Sequence, residues 1–82
     1  MINFEDLIKT LVSPLVLKSD DVVVKSSSDD EGLLTIQVLV NKDDLGRVIG
    51  KGGKLAQAIR TIAYAGASKE GKKIKVNIDS LD

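Results

Sequence analysis

The sequence predicts an α+β fold in which a three-stranded sheet packs against three helices. Three segments place apolar residues at the spacing of an amphipathic helix, and three others are β-branched or alternate apolar with polar residues. In chain order they read helix, strand, strand, helix, helix, strand, which we write αββααβ. Because 82 residues are too few to bury two hydrophobic cores, we expect a single domain covering residues 1–82.

The first element is a helix that starts at Asn3, whose side chain can accept a hydrogen bond from a free backbone N–H group of the first turn. Its apolar residues recur on one helical face: Phe4, Leu7, Ile8, Leu11 and Leu15. Ser13 and Pro14 follow, and proline is expected to end or kink the helix because it lacks the N–H group.

Two strands come next. Residues 22–25 are mainly valine and predict a short strand, and the polar residues 26–32 predict a turn. Residues 33–40 predict a second strand with an alternating pattern. Its core face carries Leu34, Ile36, Val38 and Val40.

The second half of the chain predicts a short helix, a long helix and a last strand. Asn41 can cap the short helix, and its buried side would carry Leu45, Val48 and Ile49. The long helix follows a glycine cluster and runs to about Tyr64. One of its faces carries Leu55, Ala56, Ile59, Ile62 and Ala63. A loop bracketed by Gly66 and Gly71 leads to a strand at residues 73–79, with Ile74, Val76 and Ile78 facing the core.

The composition excludes several kinds of site. The chain has no cysteine and no histidine, so disulfides and the usual zinc ligands and nucleophiles are absent. The carboxylates of Asp43 and Asp44 are explained by the dipole at a helix start. We therefore expect no enzyme activity, no metal, no cofactor and no small-molecule substrate. No apolar run is long enough for a membrane span and the N-terminus is acidic, which predicts a cytoplasmic protein without membrane contact.

Charge is distributed unevenly although the net charge is zero. Residues 1–40 carry three lysines against seven acidic residues, whereas residues 45–75 carry eight basic residues against one acidic residue. Such asymmetry points to an anionic ligand, although a solvated charged surface explains it equally well. Aromatic residues make up only 2% of the chain, so a stacking platform for nucleic-acid bases is not expected.

The most informative motif is Gly50-Lys51-Gly52-Gly53, between the second and third helices. One glycine would suffice for a turn, and two more suggest that a ligand approaches the backbone closely. The start of the third helix adds the positive end of its dipole, and Lys54 adds a second amine. A Walker A loop is excluded because no Ser or Thr follows Lys51. The dinucleotide fingerprint is excluded because Leu55 stands where it needs glycine.

The chain resembles the KH family, in particular the small bacterial single-domain KH proteins of type II topology. The resemblance lies in the sequence GRVIGKGG at residues 46–53 and in the αββααβ order. The resemblance covers essentially the whole chain and places a GxxG loop at residues 50–53. It implies a non-catalytic RNA-binding protein, such as an RNA chaperone or post-transcriptional regulator, that holds about four nucleotides of single-stranded RNA at this loop. The implied RNA-binding residues are Arg47, Ile49, Gly50, Lys51, Gly52, Gly53, Lys54 and Leu55.

Several of these residues also have a purely structural interpretation. Ile49, Leu55, Ala56 and Ile59 could contact bases, although a place in the core is favoured for each of them. Lys72, Lys73 and Lys75 could line the opposite wall of the groove or be solvated. Arg47 and Arg60 could equally form salt bridges or contact RNA.

The partners expected from the resemblance are single-stranded RNA and either a second copy of the chain or another RNA-binding protein. Dimerisation through the third helix is also suggested by its apolar residues, which occupy more than one packing face. The alternative function is a protein-interaction subunit that docks a partner through apolar helix faces and has little intrinsic affinity for RNA.

Overall fold

The computed structural model describes residues 2–81, so Met1 and Asp82 of the predicted domain lie outside the described residues. The helices are α1 (Phe4–Val12), α2 (Leu45–Ile49) and α3 (Lys54–Lys69), and the strands are β1 (Val23–Ser28), β2 (Leu33–Val40) and β3 (Lys73–Ser80). The predicted α+β fold and the αββααβ order are confirmed. Within the described residues, no helix combines the length and the apolar character needed to cross a membrane.

Helix α1 begins where the sequence predicts. The side chain of Asn3 accepts a hydrogen bond from the backbone N–H of Asp6, at 3.1 Å. The buried face of the helix carries Phe4, Ile8 and Val12. Beyond Val12 the chain tightens into a 3₁₀ turn at Ser13–Leu15, because Pro14 cannot donate the hydrogen bond that would extend the α-helix.

The sheet has the order β1-β2-β3, with β1 antiparallel and β3 parallel to the central strand β2. The alternation predicted for β2 is confirmed, since Ile36, Val38 and Val40 are fully buried. The predicted turn at 26–32 is wrong in its first half. Ser26 and Ser28 pair with Ile36 and Leu34 and extend β1, because an exposed edge strand needs no apolar side chains to complete its ladder.

Helix α3 is longer than predicted. It continues past Tyr64 to Lys69, so Gly66 lies inside the helix and not at the start of a loop. A Cβ on Gly66 would lie 2.9 Å from Cδ1 of Ile2, so the missing side chain gives the N-terminal segment room to pack against the helix. The backbone N–H of Ile2 also donates to Oε2 of Glu70, at 2.6 Å.

All three helices cover one face of the sheet. The buried core between them contains Phe4, Ile8, Val12, Val22, Ile36, Val38, Val40, Val48, Ile59, Ala63, Ala67 and Val76. Two residues assigned by sequence to the packing face of α3 are not in this core, because Leu55 is 39% exposed and Ile62 is 46% exposed. Within residues 2–81, no α-helix packs on the opposite face of the sheet.

Candidate nucleic-acid interface

The glycine motif forms a sharp turn between α2 and α3. The N–H of Gly50 donates to the carbonyl of Gly46 at 2.9 Å and closes α2, and the N–H of Gly53 donates to the carbonyl of Gly50 at 3.1 Å. Gly50, Gly52 and Gly53 have φ angles of 76°, 66° and 77°. Side chains are strongly disfavoured in this left-handed region, so the geometry explains all three glycines.

The glycines differ in their surroundings. A Cβ on Gly50 would lie 2.7 Å from Cγ of Leu55, so Gly50 packs closely against the first turn of α3. A Cβ on Gly52 or Gly53 would meet no atom within 4 Å. The last two glycines therefore leave open space beside the backbone of the loop.

The start of α3 faces this opening. Its N-cap is Gly53, which has no side chain to hydrogen-bond the free N–H groups of the first turn. These N–H groups and the helix dipole make the end of the helix favourable for an anion. Lys51 and Lys54 are both exposed, and neither forms an ion pair within residues 2–81.

Arg47 forms a salt bridge, which is one of the two contacts that the sequence analysis considered for it. Its Nε lies 3.4 Å from Oδ1 of Asp44, and about half of its side chain remains exposed. Arg47 is therefore held one turn before the loop.

Asp44 is the residue whose role the sequence reading missed. It is 1% exposed, and its two carboxylate oxygens accept hydrogen bonds from the backbone N–H groups of Leu17 and Lys18, at 3.1 and 2.9 Å. Burial acts to raise the pKa of this carboxyl, but the N–H groups of Lys18 and Leu17 and the Arg47 guanidinium together lower it. Asp44 thus anchors the chain between α1 and β1 as an ionised carboxylate. Its position at a helix start offered no signal for these distant partners.

The aliphatic residues of the predicted groove separate into two groups. Ile49 is partly buried and Leu55 is exposed, so both have surface available to a ligand. Ala56 and Ile59 are 2% and 4% exposed and belong to the core. Base contact by Ala56 or Ile59 is therefore excluded by their burial.

The other basic residues considered for the groove have different surroundings. Nε of Arg60 donates to the carbonyl of Val76 at 3.2 Å and ties α3 to β3. Nζ of Lys72 lies 3.3 Å from Oε1 of Glu70 and 5.9 Å from the centre of the Phe4 ring. Lys73 and Lys75 are exposed on the open face of the sheet, opposite the helices.

The chain is similar to known proteins over nearly its full length. The family described as KhpA/KhpB, KH domain, matches residues 5–78. The RNA-binding protein KhpA of Listeria monocytogenes is 49% identical over 74 residues, which cover 90% of this chain and 96% of the relative. The RNA-binding protein KhpA of Bacillus subtilis is 39% identical over 77 residues and is covered to 93%, as is this chain.

Two solved structures share the fold. A variant of Era from Aquifex aeolicus bound to GDP and AlF4⁻ superposes with a TM-score of 0.63 at 16% identity, over 95% of this chain. Era in complex with MgGDPNP and nucleotides 1506–1542 of 16S ribosomal RNA superposes with a TM-score of 0.60 at 17% identity, over 94% of this chain. The chain spans only 30% and 29% of the length of these two proteins.

Proposed function

Because the chain belongs to the KH-domain family of KhpA and KhpB, we propose that it binds single-stranded RNA at the loop of residues 50–53 and catalyses no reaction. The relatives named above are RNA-binding proteins, and the geometry of the loop supports the same ligand here. The observation that carries the proposal is the open turn of left-handed glycines at the uncapped start of α3.

Each proposed RNA-binding residue has a role that its surroundings support. The backbone of Gly50, Gly52 and Gly53 lets a phosphate approach the N–H groups of α3. The exposed amines of Lys51 and Lys54 add positive charge, and Arg47 adds the part of its guanidinium that Asp44 does not occupy. Ile49 and Leu55 offer aliphatic surface on either side of the loop, where bases can rest without aromatic stacking.

A double substitution in the loop tests this function. Lys51→Asp with Gly52→Asp should abolish binding to a single-stranded oligoribonucleotide of about five nucleotides, because carboxylates would face the phosphates. The fold should be retained, because aspartate tolerates the left-handed φ of Gly52 better than most residues do and a Cβ there meets no atom within 4 Å. Fluorescence anisotropy at fixed salt measures the affinity, and circular dichroism checks the fold.

The matched control is Lys69→Asp with Gly71→Asp at the other end of α3. It makes the same change in charge, and Gly71 also has a positive φ, 68°, with no atom within 4 Å of where a Cβ would lie. Retained binding in this control and lost binding in the loop variant would support the proposal. Undiminished binding in the loop variant would show that RNA is not held at the loop.

We further propose that the chain pairs with a second copy or with another RNA-binding protein through an apolar stripe on α3. This stripe, Leu55, Ala58, Ile62 and Ala65, lies beside the buried face of the helix and is exposed along its length. The spacing of three and four residues matches the seam along which two helices pack. Leu55 belongs to both the stripe and the proposed RNA site, so pairing and RNA binding should influence each other. With RNA as the ligand, we place this activity in the cytoplasm.

The competing function is docking of a protein through the α3 stripe with little affinity for RNA. A salt titration separates the two functions. RNA held through phosphates loses affinity with a slope of log K on log salt of about −0.7 per phosphate on a single strand. Apolar docking responds little to salt, so a flat titration would favour the protein-docking function.

A further inference from the structure

The middle of the sheet face opposite the helices is polar and basic. Alternation along each strand sends Val24, Ile36 and Val76 toward the helices, and it sends their neighbours to the other side. We call the resulting surface the open sheet face. Its two central rows carry Lys25, Ser27, Thr35, Gln37, Lys75 and Asn77. At one end of the face Leu33 lies beside Lys73, and the row at the other end consists of Val23, Leu39 and Asp79.

The register places these residues in rows across the three strands. Lys25 pairs with Gln37, which pairs with Asn77, and in the next row Ser27 pairs with Thr35, which pairs with Lys75. Neighbouring strands lie about 4.8 Å apart, so the rows are about 10 Å wide. Amide and hydroxyl groups therefore fill the surface between a lysine on one edge strand and a lysine on the other.

The positive charge of this face is not neutralised locally. Lys25, Lys73 and Lys75 are exposed, and none forms an ion pair within residues 2–81. One acidic residue, Asp79, belongs to this face and lies in its end row beside Leu39. The acidic turn of residues 29–31 connects β1 and β2 at the other end. The two central rows contain no carboxylate.

This arrangement fits the backbone of a nucleic acid. Lysine, serine, threonine, asparagine and glutamine side chains are common donors to phosphate and sugar oxygens, and such contacts carry no sequence information. The face lacks aromatic residues, so bases cannot stack on it. An apolar protein surface would find little to bury in the central rows, because these carry no apolar side chain and the apolar residues of the face, Val23, Leu33 and Leu39, lie at its ends.

Strand β3 connects the open sheet face with the proposed loop site. One side of β3 packs under α3, where Arg60 reaches the carbonyl of Val76, and Lys73 and Lys75 lie on its other side. In the described part of the chain, β3 is an edge strand with no strand beyond it. A single strand held at the loop can therefore pass over this edge and continue on the open sheet face.

We propose that the open sheet face is a second, sequence-independent contact for the backbone of the RNA strand that the loop holds. This inference rests on the proposed function, because it extends the same RNA beyond the nucleotides at residues 50–53. The two contacts lie on opposite sides of the sheet. The second contact therefore serves only RNA that is longer than the loop site.

The test compares two lengths of single-stranded RNA, about five and about 20 nucleotides, since the loop alone accommodates about four. The variant is Lys25→Gln with Lys75→Gln, which removes one lysine from each edge strand. The matched control is Lys9→Gln with Lys18→Gln, which makes the same change in charge away from the face. Lys18 is already paired with Asp43, at 3.4 Å. Affinity is measured across a range of salt concentrations.

For the long RNA, the open-face variant should reduce the magnitude of the slope of log K on log salt by about 1.4, which is about 0.7 for each lost phosphate contact. For the short RNA, the variant should bind as the parent chain does. The control should match the parent for both lengths. These results together would establish the second contact.

Three outcomes would overturn the inference. In the first, the salt slope of the open-face variant on the long RNA equals that of the parent chain. In the second, the control variant lowers the magnitude of the long-RNA slope as much as the open-face variant does, so that net charge alone explains the effect. The variant could also lose binding to an acidic protein while its RNA slope is unchanged, which would assign the face to a protein. A failure of the proposed loop function can be distinguished from these outcomes, because the parent chain itself would then not bind the short RNA.

Discussion

Gly50 lies against the side chain of Leu55, so closely that a Cβ on Gly50 would be 2.7 Å from Cγ of Leu55. This contact connects Gly50, which caps the end of α2, with the first turn of α3. Together with the positive φ of Gly50, it fixes the direction in which α3 leaves the loop. The geometry of the proposed RNA site therefore depends on the absence of one side chain.

Gly50→Ala should destabilise the fold by about 1–3 kcal/mol, because alanine would adopt a left-handed φ and also clash with Leu55. Gly46→Ala is the control. Gly46 lies in α2 without a positive φ, and a Cβ at this position would meet no atom within 4 Å, so alanine should stabilise the fold by about 0.4–1 kcal/mol. Urea denaturation measures the free energy of unfolding of both variants. Equal stability of the two variants would show that the Gly50 contact is unimportant.

Asp44→Asn should destabilise the fold at neutral pH. The carboxylate accepts the N–H groups of both Leu17 and Lys18, whereas an amide offers one oxygen and turns an NH₂ group toward the second donor. Asp43→Asn, at an exposed neighbouring position, should change stability little. Denaturation midpoints of the two variants and the parent chain check this ranking.

The effect of Asp44→Asn should also depend on pH. The pKa of Asp44 is lower in the folded than in the unfolded chain, so its ionised form stabilises the fold above the unfolded pKa, which is about 3.9. That stabilisation is lost as the pH falls through the folded pKa. The stability difference between the parent chain and the variant should therefore be constant near neutrality and shrink in acid, below pH about 4. A difference that persists unchanged in strong acid would contradict this role.

Ile62→Glu should weaken self-association about tenfold or more, because it places a charge in the centre of the α3 stripe. Tyr64→Glu is the control, since Tyr64 is 41% exposed but lies on another side of the same helix. Ile59 is unsuitable as a probe, because it is buried and its substitution by a charge would unfold the chain. Light scattering across a concentration series reports the mass. A strictly monomeric parent chain would remove the α3 stripe as a homodimer interface.

Single-stranded RNA should compete better than duplex RNA of equal length, by about tenfold or more, because a site for about four nucleotides reads unpaired bases. Competition against one labelled oligonucleotide measures the ratio at a fixed salt concentration. Equal competition by both forms would mean that charge alone accounts for binding.

The sequence predicts those elements whose signals are local. The cap at Asn3, the alternation of β2 and the glycine loop all follow from the residues of the elements themselves. The extension of β1 through Ser26–28 and the position of Gly66 inside α3 depend on partners elsewhere in the fold. In the sequence alone, a polar strand and a glycine inside a helix both have the residue pattern of a turn.

The same distinction holds for the proposed site. The glycine and lysine positions of the loop could be identified from their spacing, and the family resemblance is confirmed. The burial of Ile59 and the hydrogen bonds of Asp44 could not be predicted from the sequence. Both arise when segments more than 15 residues apart come together. The open sheet face likewise exists only through the register of three strands.

The most direct measurement is to follow the backbone amide resonances of the ¹⁵N-labelled chain while a single-stranded RNA of about five nucleotides is added. We expect the largest shifts at Gly50 to Leu55, and we expect these shifts to disappear in the Lys51→Asp, Gly52→Asp variant while its other resonances stay in place. Shifts that centre elsewhere, for example along α1, and leave the loop resonances unchanged would show that the RNA is not held at residues 50–53.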